Sequence, residues 1–323
     1  MIPQVRTTLE VRHYEPSASA VWNAFIDQSA NGTFLFRREF MEYHADRFED
    51  HSYLVWRKNE LVAVFVAGRS RTSSIPTTLV AHPGLTYGGL VYATELKYAL
   101  LEEVYDALFT AFRADGFTSL LVKPVARVFC RQPAEASLFY FHQQGFALQR
   151  RELNSVIDLT QPLRISKGRK DNVRKARNAG VTVAMSNDFS EFWPLLVANL
   201  WQTHGVRPPH SEAEIRLLQQ QFPDNIQLYV ARYAEAVVGG VLLFLDAAHG
   251  FVHTQYISAN EQGKQVGAVD AIIAQVLTDV QGVFPRFSFG ISTAEGELNA
   301  GLLAQKEGFG ATVELIDTYE KAF

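Results

Sequence analysis

The groups best able to move a proton or hold an anion in this 323-residue chain lie in its second half. His253 sits in VHTQYIS, a run of strand-forming residues, where alternation is expected to put His253 and Gln255 on one face and Thr254 and Tyr256 on the other. An imidazole there could take up a proton near neutral pH; a hydrogen-bonded structural histidine is the plainer alternative. Glu295, in FGISTAEGELNAGLL, is a second candidate proton acceptor, because ligands of α/β sheets gather beyond the carboxyl ends of strands. Asn299 in the same segment can cap the helix that follows.

Two more groupings could recognise sugar or phosphate. In THGVRPPHSE two prolines stiffen a loop that carries His204, Arg207 and His210. The alternative is a solvated loop in which Ser211 caps the next helix and Glu214 completes a capping box. No third ligand has the spacing to make a metal site with these histidines, so none is expected. The run RISKGRKDNVRKARNAG carries seven cations against Asp171 alone. If it is helical, Lys170 and Arg174 share one face at i, i+4, which could hold a diphosphate or an RNA backbone. A solvated helix face is the alternative reading.

The elements that must position these residues occur twice. LVWRKNELVAVFVA from Leu54 lies without gaps on YVARYAEAVVGGVL from Tyr229, matching Val55 to Val230, Arg57 to Arg232, Glu60 to Glu235 and Val62 to Val237. Each copy reads as a β-hairpin. Each is preceded by two helical stretches and followed by a long helical pattern, an apolar strand and a short helix ending in Gly-Phe, with Gly145 and Gly308 expected as helix-terminating glycines. The fold class is therefore mixed α/β in two tandem domains, 1–162 and 163–323, with the boundary in the polar stretch near Leu159 to Arg164 and close packing expected.

This element order, with its terminal helix-Gly-Phe-strand, resembles the GCN5-related N-acetyltransferase (GNAT) superfamily. The tandem arrangement is similar to the Fem-type (FemAB-like) branch, on GRKDNVRKARNAGV, HGVRPPHSEAEIRLL, VHTQYIS and FGISTAEGELNAGLLAQKEGFGA, which cover most of residues 168–311. The resemblance implies an acyl donor held as coenzyme A is held in that superfamily. A strand, here Phe251 to Ile257, pairs with the pantetheine arm, and a loop, here Ser258 to Val266, leads to a helix near Gly267 that receives the pyrophosphate. Gln255, Tyr256, Ile257, Gly263, Lys264, Gln265, Val266, Gly267 and Asn299 are then the donor contacts. Lys170, Arg174, His204, Arg207 and His210 would meet the acceptor, and His253 and Glu295 would serve the chemistry. The superfamily loop usually has glycine where this chain has Gln265, a departure that could restrict backbone approach to phosphate. The first half has no comparable loop, since ATELKYALL lacks glycine.

Three functions stay open. The first is an N-acyltransferase that moves acetyl, or a short hydroxyacyl group such as 3-hydroxybutanoyl, from acyl-coenzyme A to the amine of a nucleotide-linked sugar, for example a dTDP-amino sugar for O-antigen or capsule. The second is an aminoacyl-tRNA-dependent peptidyltransferase, and the third a non-catalytic binding protein. A net charge of −4 argues against a long polyanion as the general partner, so phosphate recognition must be local. Cys130 is the only cysteine, which excludes an intramolecular disulfide and fits a cytoplasmic protein. The first residues lack the pattern of a signal peptide, and the apolar run VVGGVLLFL is too short to span a bilayer. A homodimer is a permitted assembly.

Overall fold

The computed structural model describes residues 9–70, 77–294 and 296–323. They form two compact units, one of Met1–Glu152 with Leu315–Phe323, the other of Leu153–Glu314. The elements up to the first crossover are β1 (Leu9–His13), α1 (Ser19–Gln28), α2 (Arg38–Glu42), β2 (Phe48–Asp50), β3 (Tyr53–Arg57), β4 (Glu60–Val66), β5 (Gly68–Ser70), β6 (Thr78–Ala81), β7 (Gly89–Tyr92), α3 (Tyr98–Ala114), β8 (Ser119–Val122), α4 (Ala136–Gln143) and β9 (Ala147–Asp158). Then come α5 (Lys167–Asn178), β10 (Thr182–Ser186), α6 (Phe192–His204), α7 (Glu212–Gln221), β11 (Ile226–Tyr233), β12 (Ala236–Asp246), β13 (Phe251–Ala259), α8 (Glu261–Val266), α9 (Ala268–Val280), β14 (Arg286–Ile291), β15 (Thr293–Ala294), β16 (Glu297–Leu298), α10 (Ala300–Glu307) and β17 (Thr312–Ala322). The mixed α/β class and the twofold order of elements are as the sequence implies.

Both units bury the helix that follows their central strands. In α3, Leu101, Val104, Tyr105, Leu108 and Phe112 recur at helical spacing and enter one core; in α9, Ile272, Ile273, Val276, Leu277 and Val280 do the same in the other. The hairpins are equivalent in detail. Each turns on two non-glycine residues with positive φ, Lys58 and Asn59 in one, Ala234 and Glu235 in the other, which is the geometry of a type I′ turn. Each also carries a bulge just beyond the turn, at Val55/Trp56 and at Ala231/Arg232. This shared geometry corrects the ungapped alignment by one residue: Arg57 matches Tyr233, and Val62 matches Val238. Apolar runs on both sides of the turn let the sequences slide, whereas turn geometry admits one register.

The units differ at one edge. In the second, β10 to β13 run antiparallel, β13 pairs in parallel with β14, and β14 pairs with β9. The β13–β14 pairing lasts three positions, ending at His253↔Ser288, after which the strands part. In the first unit β4 pairs with β7, while β6 has been inserted and pairs in parallel with β8, whose other edge is taken by β17. The strand edge that opens in the second unit is filled in the first.

Candidate functional site

The parting of β13 and β14 is built into β14. Gly290 has φ +76, and the ladder to β9 jumps from Ser288↔Val156 to Ile291↔Asn154. A left-handed residue bends β14 away immediately after its last pair with β13. On the α9 side the wedge opens into a cavity of about 580 Å³. Its wall includes Ile257 and Ser258 of β13, Gly263, Lys264 and Gln265 of α8, Gly267, and Arg169, Asn172 and Lys175 of α5. Leu302, Gln305 and Lys306 of α10 close the far side.

The floor of this cavity is the start of α9. Its first N–H groups have no partner within the helix and point along its positive end. Gly267 precedes it at φ +78, and a Cβ there would stand 3.0 Å from the Asn172 carbonyl oxygen. The segment expected as an open loop from Ser258 to Val266 is instead strand through Ala259 and helix from Glu261 to Val266. Asn260 caps that helix by accepting from the Gly263 N–H at 2.8 Å. Gly263 serves packing: a Cβ would fall 2.1 Å from the Val238 carbonyl oxygen, so only glycine lets α8 lie on β12. Val266 ends α8 and packs on the core without lining the cavity.

Asp270, buried in the first turn of α9, receives Arg169 Nη1 at 2.9 and 3.0 Å and Asn172 Nδ2 at 2.5 Å. A carboxylate at a helix N-terminus is favourable in itself, and here it also ties α5 to α9. The face of α5 turned to the cavity therefore holds Arg169, Asn172 and Lys175. Lys170 and Arg174 are exposed and do not line it; Arg174 pairs with Asp171 at 2.9 Å. Lys264 Nζ reaches Glu261 at 2.7 Å, and Asn199 Nδ2 donates to Ser258 Oγ at 3.0 Å.

Lys306 was not expected at the site. It is 4% exposed, pairs with no carboxylate among the described residues, and its Nζ donates to the carbonyl oxygens of Gly290 at 2.9 Å and Ile291 at 2.6 Å. Burial lowers its pKa to about 8. In sequence it reads as a cation near a helix C-terminus, with nothing to mark it as buried.

The opposite face of β13 carries the candidate chemistry, and here strict alternation fails. Leu242 pairs with Tyr256 and Leu243 with Thr254, so Gln255 is the extra residue of a bulge. Paired residues share a face. Tyr256 therefore lies with Leu242, and His253 with Phe244, two residues on along β12. His253 and Tyr256 end on the same face, contrary to the expected grouping of His253 with Gln255, while Ile257 turns to the cavity. On that face His210 Nδ1 lies 2.7 Å from the Tyr256 hydroxyl, and Trp193 of α6 meets the tyrosine ring edge-on at 5.6 Å. Burial pushes the Tyr256 hydroxyl up to about 12.

Of the remaining expected residues, Ser211 and Glu214 form the capping box of α7. Arg207 is exposed in the preceding loop, and of His204 only the backbone, ending α6, is described. Asn299 caps α10, accepting from the Leu302 N–H at 3.0 Å. Gly308 caps the C-terminus of α10 as expected, in right-handed geometry at φ −59, and the left-handed residue follows at Gly310, φ +92. Glu295 lies outside the described residues. Among the described residues no cluster of three or more metal-ligating side chains occurs, and no helix is long and apolar enough to cross a membrane.

No protein-family model matches the chain, and no curated protein matches it by sequence. Among solved structures it resembles FemX, with 11% identity over 97% of each chain and a TM-score of 0.70. It also resembles L-PGS from Bacillus licheniformis, with 12% identity, 94% of this chain and 91% of that one covered, and a TM-score of 0.60. A third is a tandem GNAT protein from the clavulanic acid biosynthesis pathway, with 10% identity over 98% of each chain and a TM-score of 0.57. At such identities the likeness is one of fold: this chain has the tandem GNAT fold.

Proposed function

We propose that the protein is an N-acyltransferase whose second unit binds an acyl-coenzyme A and delivers the acyl group to the amine of a nucleotide-linked sugar, in the cytoplasm, for surface polysaccharide. The observation that carries this reading is the parted β13–β14 edge opening on a cavity floored by the α9 N-terminus. An acyl-pantetheine arm can pair along β13, and its phosphates can lie on the first turn of α9 beside Arg169, Lys175 and Lys264. The acceptor amine would approach from the face of His253 and Tyr256, next to the loop bearing Arg207 and His210. The sequence resemblance over residues 168–311 supports the same class of reaction.

Backbone groups and Lys306 supply charge stabilisation in this reading. The Lys306 ammonium has three donors and spends two on the Gly290 and Ile291 carbonyls. The third can meet the thioester carbonyl as negative charge grows on its oxygen.

A second reading has a specific observation in its favour. The coenzyme A loop is replaced by α8, Gln265 stands at the position of its middle glycine, and Asp270 already occupies the helix terminus. These features suit a donor with fewer phosphates at that point, such as the aminoacyl end of a tRNA, and the resemblance to FemX supports that donor equally. Calorimetric titration with a set of acyl-coenzyme A thioesters, against free coenzyme A, tests the two. Saturable micromolar binding is expected; no binding to any thioester, with transfer from charged tRNA, selects the second reading.

A further inference from the structure

The two faces of the sheet differ at the apex where β13 and β14 part. On the face of His253, polar groups bond in series: His253 Nδ1 lies 3.1 Å from Ser288 Oγ, which donates to Asn154 Oδ1 at 3.1 Å. The face turned to α9 is apolar. Val252 pairs there with Phe287, and both belong to the core that holds α9. One residue interrupts this surface. Thr254 is two places beyond Val252, so its side chain stands on the same face, and across β12 it pairs with Leu243 of the same core. Thr254 is 5% exposed, and its Oγ1 has no hydrogen-bond partner among the described residues.

A buried hydroxyl without a partner destabilises the folded chain relative to valine, which has the same shape and nothing to desolvate. Folded proteins keep few such groups. The place of Thr254 gives a reason for this one. One rung beyond His253 and Ser288, continued pairing would set Thr254 opposite Phe289. Phe289 lines the cavity, and so does Ile257, the next residue after Thr254 on this face of β13. The hydroxyl therefore stands at the level where the cavity closes against the apex. Leu243, Val252, Ile257 and Phe289 bring no second polar side chain to it, and a buried water needs at least two polar partners.

We propose that Thr254 recognises the acyl group of the donor, and that the group it selects is a short acyl chain carrying a hydroxyl close to its carbonyl. The proposal rests on the N-acyltransferase reading. Lys306 is bonded to the carbonyl of Gly290, the neighbour of Phe289. A thioester carbonyl held by Lys306 thus puts the start of the acyl chain at the level of Phe289 and Thr254. A threonine hydroxyl has one hydrogen and two lone pairs, so it can donate to a substrate hydroxyl or accept from one. The apolar walls that make the unpaired group costly also strengthen the bond once it is made. A plain alkyl chain of the same length leaves Thr254 unpaired, and a site built around a hydroxyl disfavours the analogue lacking it for that reason.

The test is calorimetric titration of the full chain with butanoyl-, 2-hydroxybutanoyl- and 3-hydroxybutanoyl-coenzyme A, against free coenzyme A, in wild type, Thr254→Val and Thr254→Ser. One of the hydroxylated thioesters is expected to bind wild type about 10- to 100-fold more tightly than butanoyl-coenzyme A. Thr254→Val is expected to abolish that preference and to raise the melting temperature by about 2–4 °C, because the free protein loses an unpaired group and no bond. Thr254→Ser, which keeps the hydroxyl, is expected to keep the preference. Equal binding of the three thioesters by wild type overturns the proposal and leaves the acyl-coenzyme A reading standing, as does a preference that survives in Thr254→Val. A melting temperature lowered by Thr254→Val also overturns it, since the hydroxyl would then have a partner in the free protein. Binding of none of the four ligands overturns the N-acyltransferase reading and the proposal with it.

Discussion

Lys306 Nζ is bonded to the carbonyl oxygens of Gly290 and Ile291, the two residues at which β14 bends from β13. One side chain thus braces the kink that opens the candidate site. Lys306→Met would leave both buried carbonyls without that donor and is expected to cost on the order of 1–3 kcal/mol of stability. It should also lower kcat more than it changes donor binding. Because the folded pKa, about 8, lies below the ordinary lysine value, the unfolded chain binds more protons between pH 8 and about 10.5. The stability gap between wild type and Lys306→Met should therefore widen as pH rises through that window. Chemical denaturation at pH 7.5, 9 and 10 checks it, and a constant gap would contradict the depressed pKa.

The glycine within α8 and the glycine that ends it should behave differently. Gly267→Ala places a side chain at φ +78, 3.0 Å from the Asn172 carbonyl, for a cost of about 1–2 kcal/mol. It should weaken acyl-coenzyme A binding at least tenfold in calorimetry. Gly263→Ala meets the Val238 carbonyl at 2.1 Å and should lose folded protein first. Thermal unfolding separates the two, and equal melting temperatures would show that α8 can shift without cost.

Asp270 holds Arg169 and Asn172 while placing negative charge in the first turn of α9. Asp270→Asn is expected to raise the affinity for a phosphate-bearing donor by about two- to fivefold at low salt, since the helix terminus is worth roughly 0.3–1 kcal/mol per charge. It should also reduce stability by about 1–2 kcal/mol through the weakened tie to Arg169. Titration with coenzyme A at 20 and 300 mM salt measures the effect, which should shrink at high salt.

The Tyr256 hydroxyl and His210 Nδ1, at 2.7 Å, link β13 to the loop between α6 and α7. Tyr256→Phe should cost about 0.5–1.5 kcal/mol and raise acceptor KM with donor KM unchanged. A variant in which only donor KM moves would place this face outside the acceptor path.

Much of this molecule was legible in its residues. Apolar spacing in α3 and α9, the capping box at Ser211 and Glu214, the helix over the basic run and the repeated order of elements are local, and local chemistry writes itself into neighbouring residues. Tertiary structure alone decided the rest. The hairpin register shifted by one because two positive-φ residues, and not the four matching letters, define the turn. A bulge at Gln255 turned His253 and Tyr256 onto one face, and bulges depend on the partner strand. Arg169 and Lys175, rather than Lys170 and Arg174, face the cavity because α9 lies on that side of α5. The bond of Lys306 to the kink joins residues 15 and 16 apart along the chain, and the serine and asparagine behind His253 lie 35 and 99 positions from it, on strands whose adjacency no short window of sequence contains. Sequence specified the parts and the fold class. Which side chains meet at the strand apex was set by long-range pairing, where burial and hydrogen-bond geometry, and not proximity in the chain, select the partners.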